Sequence, residues 1–286
     1  MKYARTFSLL AAGTLLGTLV VSQSLAAQDP PPAPQEAPAE EAPATDADTQ
    51  DATAPDAVTT PTKPPPMLDL RRIVPIQGDA TAGKTKAEVC SACHGAQGIA
   101  IAPLFPNLAG QRAEYLYWQL VEYKRGNVPA STMTPLVTDL TDTDMRDLAV
   151  YYASLPANPP PAADAPAATE EDPAAPAPDP NVVALGQTLY LNGDPAKGMP
   201  ACQGCHGSDA QGFPDAMTPN RNGHVPYAVF PRLRGQQPDY LQTRLGQYQT
   251  GQSTDSTTDL VMNGVGHRLD AESIAALSQY LSSLGN

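Results

Sequence analysis

All four cysteines of this 286-residue chain fall in two copies of one five-residue pattern, CSACH at 90–94 and CQGCH at 202–206. Two thiols three residues apart, with a histidine directly after them, lie on one helical turn. There the sulfurs can add across the two vinyl groups of a haem, and the imidazole can reach the iron from the same face. Cys90, Cys93, Cys202 and Cys205 are therefore read as covalent attachment points, with His94 and His206 as iron ligands. Three other uses of the pattern compete. A structural zinc site brings its second ligand pair within about 15–20 residues, whereas these pairs lie 112 apart. A redox C-x-x-C needs a βαβ surrounding, and no alternating strand pattern accompanies it. A disulfide inside each motif leaves both histidines and the duplication without a purpose.

The duplication extends far beyond the motif. CSACHG is followed by FPNLAGQ, AEYLYWQLVEYKRGN and LTDTDMRDLAVYYASL; CQGCHG is followed by FPRLRGQ, PDYLQTRLGQYQTGQ and LDAESIAALSQYLSSL. Apolar residues at Leu116, Leu120 and Tyr123, and at Leu148, Tyr151, Tyr152 and Leu155, recur every three to four positions and predict amphipathic helices. A helix begins near Asp79, and Thr141 with Asp144, then Asp270 with Glu272 and Ser273 behind it, supply acidic N-terminal turns for the last helix in each repeat. The expectation is all-α: two small helical domains, residues 68–156 and 181–286, each too thinly cored to dispense with a covalent staple.

A haem with one histidine needs a sixth ligand, and the repeat points to methionine. Met133 stands seven residues before Leu140 and Met262 seven before Leu269, the equivalent position. Met145 falls inside a helix, Met199 directly before the second motif, and Met217 in a stretch that only the second repeat has. His267 is the rival ligand in the second domain, and His224 reads as a loop residue.

These residues resemble the tandem diheme cytochromes c of the cytochrome c4 type. CSACHG, FPNLAGQ and Met133 carry the likeness in the first repeat; GMPACQGCHG, FPRLRGQ, VMNGV and the closing helix carry it in the second. The resemblance implies two tandem class I cytochrome c domains related by a pseudo-twofold, each wrapped around a covalently attached haem c. It implies iron ligation by His94 with Met133 and by His206 with Met262, and imidazoles oriented by the carbonyls of Pro106 and Pro231. It also implies single-electron transfer toward a terminal oxidase.

Residues 1–27 place Lys2 and Arg5 ahead of an apolar run of about 15 residues and then small residues, the layout of a cleaved secretory signal. The expected location is the periplasm, with membrane attachment only through partners or a retained N-terminal anchor. Residues 28–67 hold eight acids against one lysine, and residues 157–180 hold five against none. These Pro/Ala/acidic tracts predict disordered spacers. They carry nearly all of the net charge of −13, so acidity belongs to the tethers rather than to a docking face. No basic stripe suits nucleic acid.

The connector is longer and more acidic than the family expects, and protease cutting there is expected to release two independent haem fragments. A second departure is the 25-residue interval from His206 to Pro231, against 12 from His94 to Pro106. With both axial positions filled by the chain, the function read from sequence is electron carriage rather than catalysis. The donor would be a quinol-oxidising complex or dehydrogenase, and the acceptor an oxidase or reductase. The alternatives are a cytochrome subunit of a periplasmic dehydrogenase and a catalytic diheme enzyme such as a peroxidase.

Thioether attachment is directly testable. Two haems per chain should survive denaturation and acid–acetone extraction, and replacing Cys90 and Cys93 with Ala should leave one. Loss of both from the unmodified chain would remove the basis of this reading.

Overall fold

Local capping chemistry decides where the helices begin. In the computed structural model, which describes residues 66–126, 128–157 and 179–285, the first half contains α1 (Ala80–Lys86), α2 (Ser91–His94), α3 (Ala113–Arg125), α4 (Met133–Val137) and α5 (Asp142–Ser154). The second repeats them as α6 (Pro180–Asn192), α7 (Gln203–His206), α8 (Pro238–Gln249), α9 (Thr257–Gly266) and α10 (Ala271–Ser283). Among the described residues there is no strand, only two isolated bridges. The leader, the N-terminal spacer up to residue 65 and connector residues 158–178 lie outside the described residues.

Asp79 accepts from the backbone N–H groups of Thr81 and Ala82 to start α1. Thr141 and Asp144 form a reciprocal capping box at α5, as Ser256 and Asp259 do at α9. Asp270 caps α10 through Ser273. Asp179 and Pro180, which composition assigns to the connector, are the N-cap and first residue of α6. Proline suits that first position because its missing N–H has no partner there anyway.

In each half the first helix crosses the last at a glycine. A Cβ on Gly83 would run into the carbonyl of Asp147 on α5, and one on Gly186 into the carbonyl of Ala276 on α10. Around the first crossing cluster Leu116, Tyr117, Met145, Leu148, Tyr151 and Tyr152. The second has Leu189, Tyr190, Met199, Leu241, Ile274, Leu277 and Tyr280. Cys90 and Cys202 pack against these two cores, so each attachment motif is seated on its own domain.

The two halves do not hang apart on a loose connector; they lie in one compact unit and are joined through the repeated segment itself. Asn107 and Arg232 occupy the same place in FPNLAGQ and FPRLRGQ. Asn107 N–H donates to Gln236 Oε1 at 2.7 Å, and Gln236 Nε2 donates to the Asn107 carbonyl at 3.0 Å. Arg232 N–H donates to Gln111 Oε1 at 2.9 Å, and Gln111 Nε2 donates to the Arg232 carbonyl at 2.9 Å. The same bonds read in both directions, which is the signature of a pseudo-twofold between the halves. Arg125 adds a two-pronged ion pair to the 3 %-exposed side chain of Asp255, at 2.6 and 3.0 Å. These contacts overturn the expectation of independent fragments: a composition suited to a flexible connector says nothing about surfaces that the connector does not contain.

Charged groups are buried at the same junction. Glu122 on α3 and Asp259 on α9 are each 1 % exposed, near the buried Arg244 of α8. Gln119 donates to one Glu122 oxygen at 2.7 Å, while the other has no hydrogen-bond partner. Burial, with the Asp259 carboxylate adding to it, pushes the Glu122 carboxyl up to about 7.

Two outcomes are expected. Protease nicking within 158–178 should leave both halves co-eluting under native conditions. Gln111→Ala together with Gln236→Ala should destabilise the nicked form by roughly 1–3 kcal/mol per glutamine and allow the halves to part. Because burial raises the Glu122 carboxyl from an ordinary value near 4.5 to about 7, this group's contribution to stability should be fully present below 4.5 and be lost as pH rises through 7. Glu122→Gln should flatten this decline by roughly 1–3 kcal/mol, read from urea denaturation at pH 5 and pH 8.

Candidate haem sites

Each five-residue motif folds as a single helical turn with a cysteine at its N-cap, Cys90 for α2 and Cys202 for α7. The turn stops at Gly95 and Gly207, whose φ angles of 73° and 80° lie in the left-handed region. At Gly95 a side chain would also strike the carbonyl of Ile99. The sharp exit leaves the two thiols and the imidazole of each motif on one short, fixed piece of backbone. No two of the four cysteines are joined in a disulfide; Cys205 is exposed and the other three are half-buried. Burial pushes the Cys90 thiol up against an opposing hydrogen bond from Tyr152, and pushes Cys202 up to about 11. Neither is a thiolate poised for redox exchange. Among the described residues no group of three or more His, Cys, Asp or Glu side chains is arranged to hold a bare metal ion.

His94 is 5 % and His206 7 % exposed. The His94 Nδ1 lies 2.9 Å from the carbonyl oxygen of Pro106, and the His206 Nδ1 lies 3.0 Å from that of Pro231. Burial pulls both imidazoles below their ordinary titration range, outweighing the carbonyls, and so favours the neutral ring. A neutral ring that donates from Nδ1 to a carbonyl keeps its lone pair on Nε2, which is the form a metal ligand needs. Proline has no N–H and a restricted φ, which suits it to a fixed carbonyl position beside the ring.

The methionines divide by environment. Met145 and Met199 are 5 % and 3 % exposed and belong to the two cores. Met133 opens α4 and Met262 sits within α9; both are half-buried and belong to neither core cluster. Met217 is exposed in the insertion. His267 is an exposed residue at the end of α9 with its Nδ1 2.6 Å from the Gln249 carbonyl. His224 is half-buried in a tight turn closed by Asn220.

Large apolar side chains left uncovered lie near these residues in sequence. Val89, Ile101 and Leu104 flank the first attachment motif, Leu136 follows Met133, and Leu260 and Val261 directly precede Met262, all between 47 % and 68 % exposed. Uncovered apolar surface next to two thiols and a neutral imidazole fits a flat, apolar macrocycle. The residues present therefore suit haem in both halves. What sequence reasoning missed is Gln111, Gln236 and the buried Glu122–Asp259 pair. The glutamines were visible as repeated residues, but nothing local announces their partners across the pseudo-twofold.

The family model for cytochrome c matches residues 80–156 and 183–285. Cytochrome c4 of Azotobacter vinelandii is 36 % identical over 216 residues, 72 % of this chain and 90 % of that protein. The thiosulfate dehydrogenase electron acceptor of Thiomonas intermedia is 30 % identical over 203 residues, 71 % and 81 % of the two chains. The crystal structure of reduced recombinant cytochrome c4 from Pseudomonas stutzeri superposes with a TM-score of 0.58 at 33 % identity, covering 73 % of this chain and all of that one. Two seated C-x-x-C-H turns, two carbonyl-held imidazoles and these likenesses converge: the chain belongs to the cytochrome c family, among the diheme cytochromes c4, and carries two covalently bound haem c groups.

Proposed function

We propose that this diheme electron-transfer cytochrome works in the periplasm, carrying single electrons from a quinol-oxidising complex or dehydrogenase to an oxidase or reductase. His94 with Met133, and His206 with Met262, are the axial pairs in this reading. The observation that carries it is the placement of the two histidines, buried and held through Nδ1 by proline carbonyls in both halves. When bound, each haem iron supplies reversible one-electron chemistry, and a methionine sulfur as second axial ligand favours the ferrous state. The chain's part is to hold Nε2 of each histidine in place and to keep a second ligand supplied from α4 or α9. It thereby leaves no coordination position for a substrate. Covalent attachment through the four cysteines retains the group during each encounter with a partner. The leader-like residues 1–27 support the location, and among the described residues no helix is long and apolar enough to cross a membrane.

One observation favours a narrower role as well. The likeness to a protein named as a thiosulfate dehydrogenase electron acceptor covers 71 % of this chain and so reaches into both halves. Co-purification from native periplasm separates the two: a free carrier elutes alone, and a subunit brings a stoichiometric dehydrogenase with it.

The axial pairs make a spectroscopic prediction. The reduced wild-type protein should not bind carbon monoxide, and the oxidised protein should not turn over peroxide. Met133→Ala and Met262→Ala should each admit carbon monoxide at one haem per chain and lower that haem's potential, leaving the other unchanged. If Met262→Ala stays closed while His267→Ala opens the second site, His267 is the ligand there. Stoichiometric carbon monoxide binding by the wild type would contradict the carrier role.

A further inference from the structure

The segment before α1 belongs in sequence to the first half, yet it is bound to the second. Leu68 pairs with Ser256 in a parallel bridge: its N–H donates to the Asp255 carbonyl at 2.7 Å, and its carbonyl accepts from Thr257 N–H at 3.0 Å. Leu70 N–H donates to Thr257 Oγ1 at 3.1 Å, and the Ile73 carbonyl accepts from Val225 N–H at 2.9 Å. Leu70 and Ile73 are 2 % and 6 % exposed, in a cluster with Val225, Ala228 and Val229, with Phe230 and Trp118 packed against it. Arg125, already paired with Asp255, also donates to the Pro66 carbonyl at 2.7 Å. Val225, Ala228 and Val229 all lie in the insertion that the first repeat lacks, so the segment before α1 and the insertion are built against each other.

Where this segment lands matters. Ser256 is the N-cap and Thr257 the first residue of α9, the helix that bears Met262. A helix of ten residues containing two glycines has little stability of its own. Its first N–H groups have no partners within the helix, and the Leu68 carbonyl takes the one from Thr257. On its other side the cluster rests on Phe230, the residue before Pro231, whose carbonyl holds His206.

We propose that residues 66–76 form a strap that positions the axial ligands of the second haem, Met262 above all, by fixing the start of α9 and bracing Phe230. The proposal rests on the axial pairs argued above. It makes the second site dependent on the start of the first domain, ahead of α1, and it gives the insertion a purpose as the strap's seat.

The test uses full-length holoprotein with carbon monoxide as probe. Leu70→Ala with Ile73→Ala removes the apolar anchor, and Thr257→Val alone removes the acceptor for Leu70 N–H. Both variants should retain two haems. In both, the potential of the second haem should fall while that of the first stays in place. The reduced variants should take up carbon monoxide at one haem per chain, where the reduced wild type takes up none. Arg71→Ala, an exposed residue of the same turn, should change none of these. Should the double variant fail to accumulate, Thr257→Val carries the same readout with one hydrogen bond removed. Strap variants with a lowered denaturation midpoint but wild-type carbon monoxide uptake and potentials would show a mere stability clamp and overturn the proposal. If Met262→Ala itself fails to open the second site, the ligand assignment is wrong and the proposal falls with it.

Discussion

Two glutamine side chains stand at the centre of the contact that joins the halves. Gln111 and Gln236 each use both ends of the amide on the backbone of the opposite half, at Arg232 and Asn107. Each of these four bonds contributes about 0.5–1.5 kcal/mol, and breaking one in a buried setting costs more, because the stranded group loses water as well as its partner. Their position gives them a second consequence. The residues they grip directly follow Pro106 and Pro231, whose carbonyls hold the two imidazoles. The interface between the halves and the orientation of both buried imidazoles are therefore properties of one seven-residue segment, used twice. Parting the halves would loosen the chain next to both histidines at once.

The pseudo-symmetry is incomplete, and the asymmetry collects on one side. Arg244 of the second half stands where the first has Gln119, and the two face each other with Nη2 3.4 Å from Oε1. Arg125 finds Asp255 across the junction, while Glu122 is buried beside Asp259 with one oxygen unpartnered. The insertion and the segment before α1 then close over the same side. Two copies of one domain have become unequal partners by adding polar and apolar contacts where they meet, leaving the haem-bearing turns alike.

Much of the attachment chemistry was legible because it is local. Two thiols and a histidine at fixed spacing, Gly95 and Gly207 ending the turns, and Thr141 or Asp270 opening the last helices all act within a few residues of one another. Fold class followed from helical periodicity and the duplication. The packing of the halves was not legible, because Asn107 and Gln236 are 129 residues apart and a polar residue in a loop announces no partner. The acidic, proline-rich connector pointed toward independence, since composition reports what a tract cannot bury and nothing about the surfaces it joins. The insertion read as an extra loop for the same reason: its apolar residues, Val225, Ala228 and Val229, meet Leu70 and Ile73 from more than 150 positions earlier.

At the centre of this account is the claim that the chain closes both irons with its own side chains, a histidine below and a methionine above, in a protein whose halves stay together. Proton NMR of the fully reduced holoprotein reads this directly, because a methionine methyl held over a haem face is displaced strongly upfield by the ring current. The account predicts two such methyl resonances, one lost in Met133→Ala and the other in Met262→Ala. A spectrum with one displaced methyl, or none, would show that at least one haem takes its sixth ligand from elsewhere or has none.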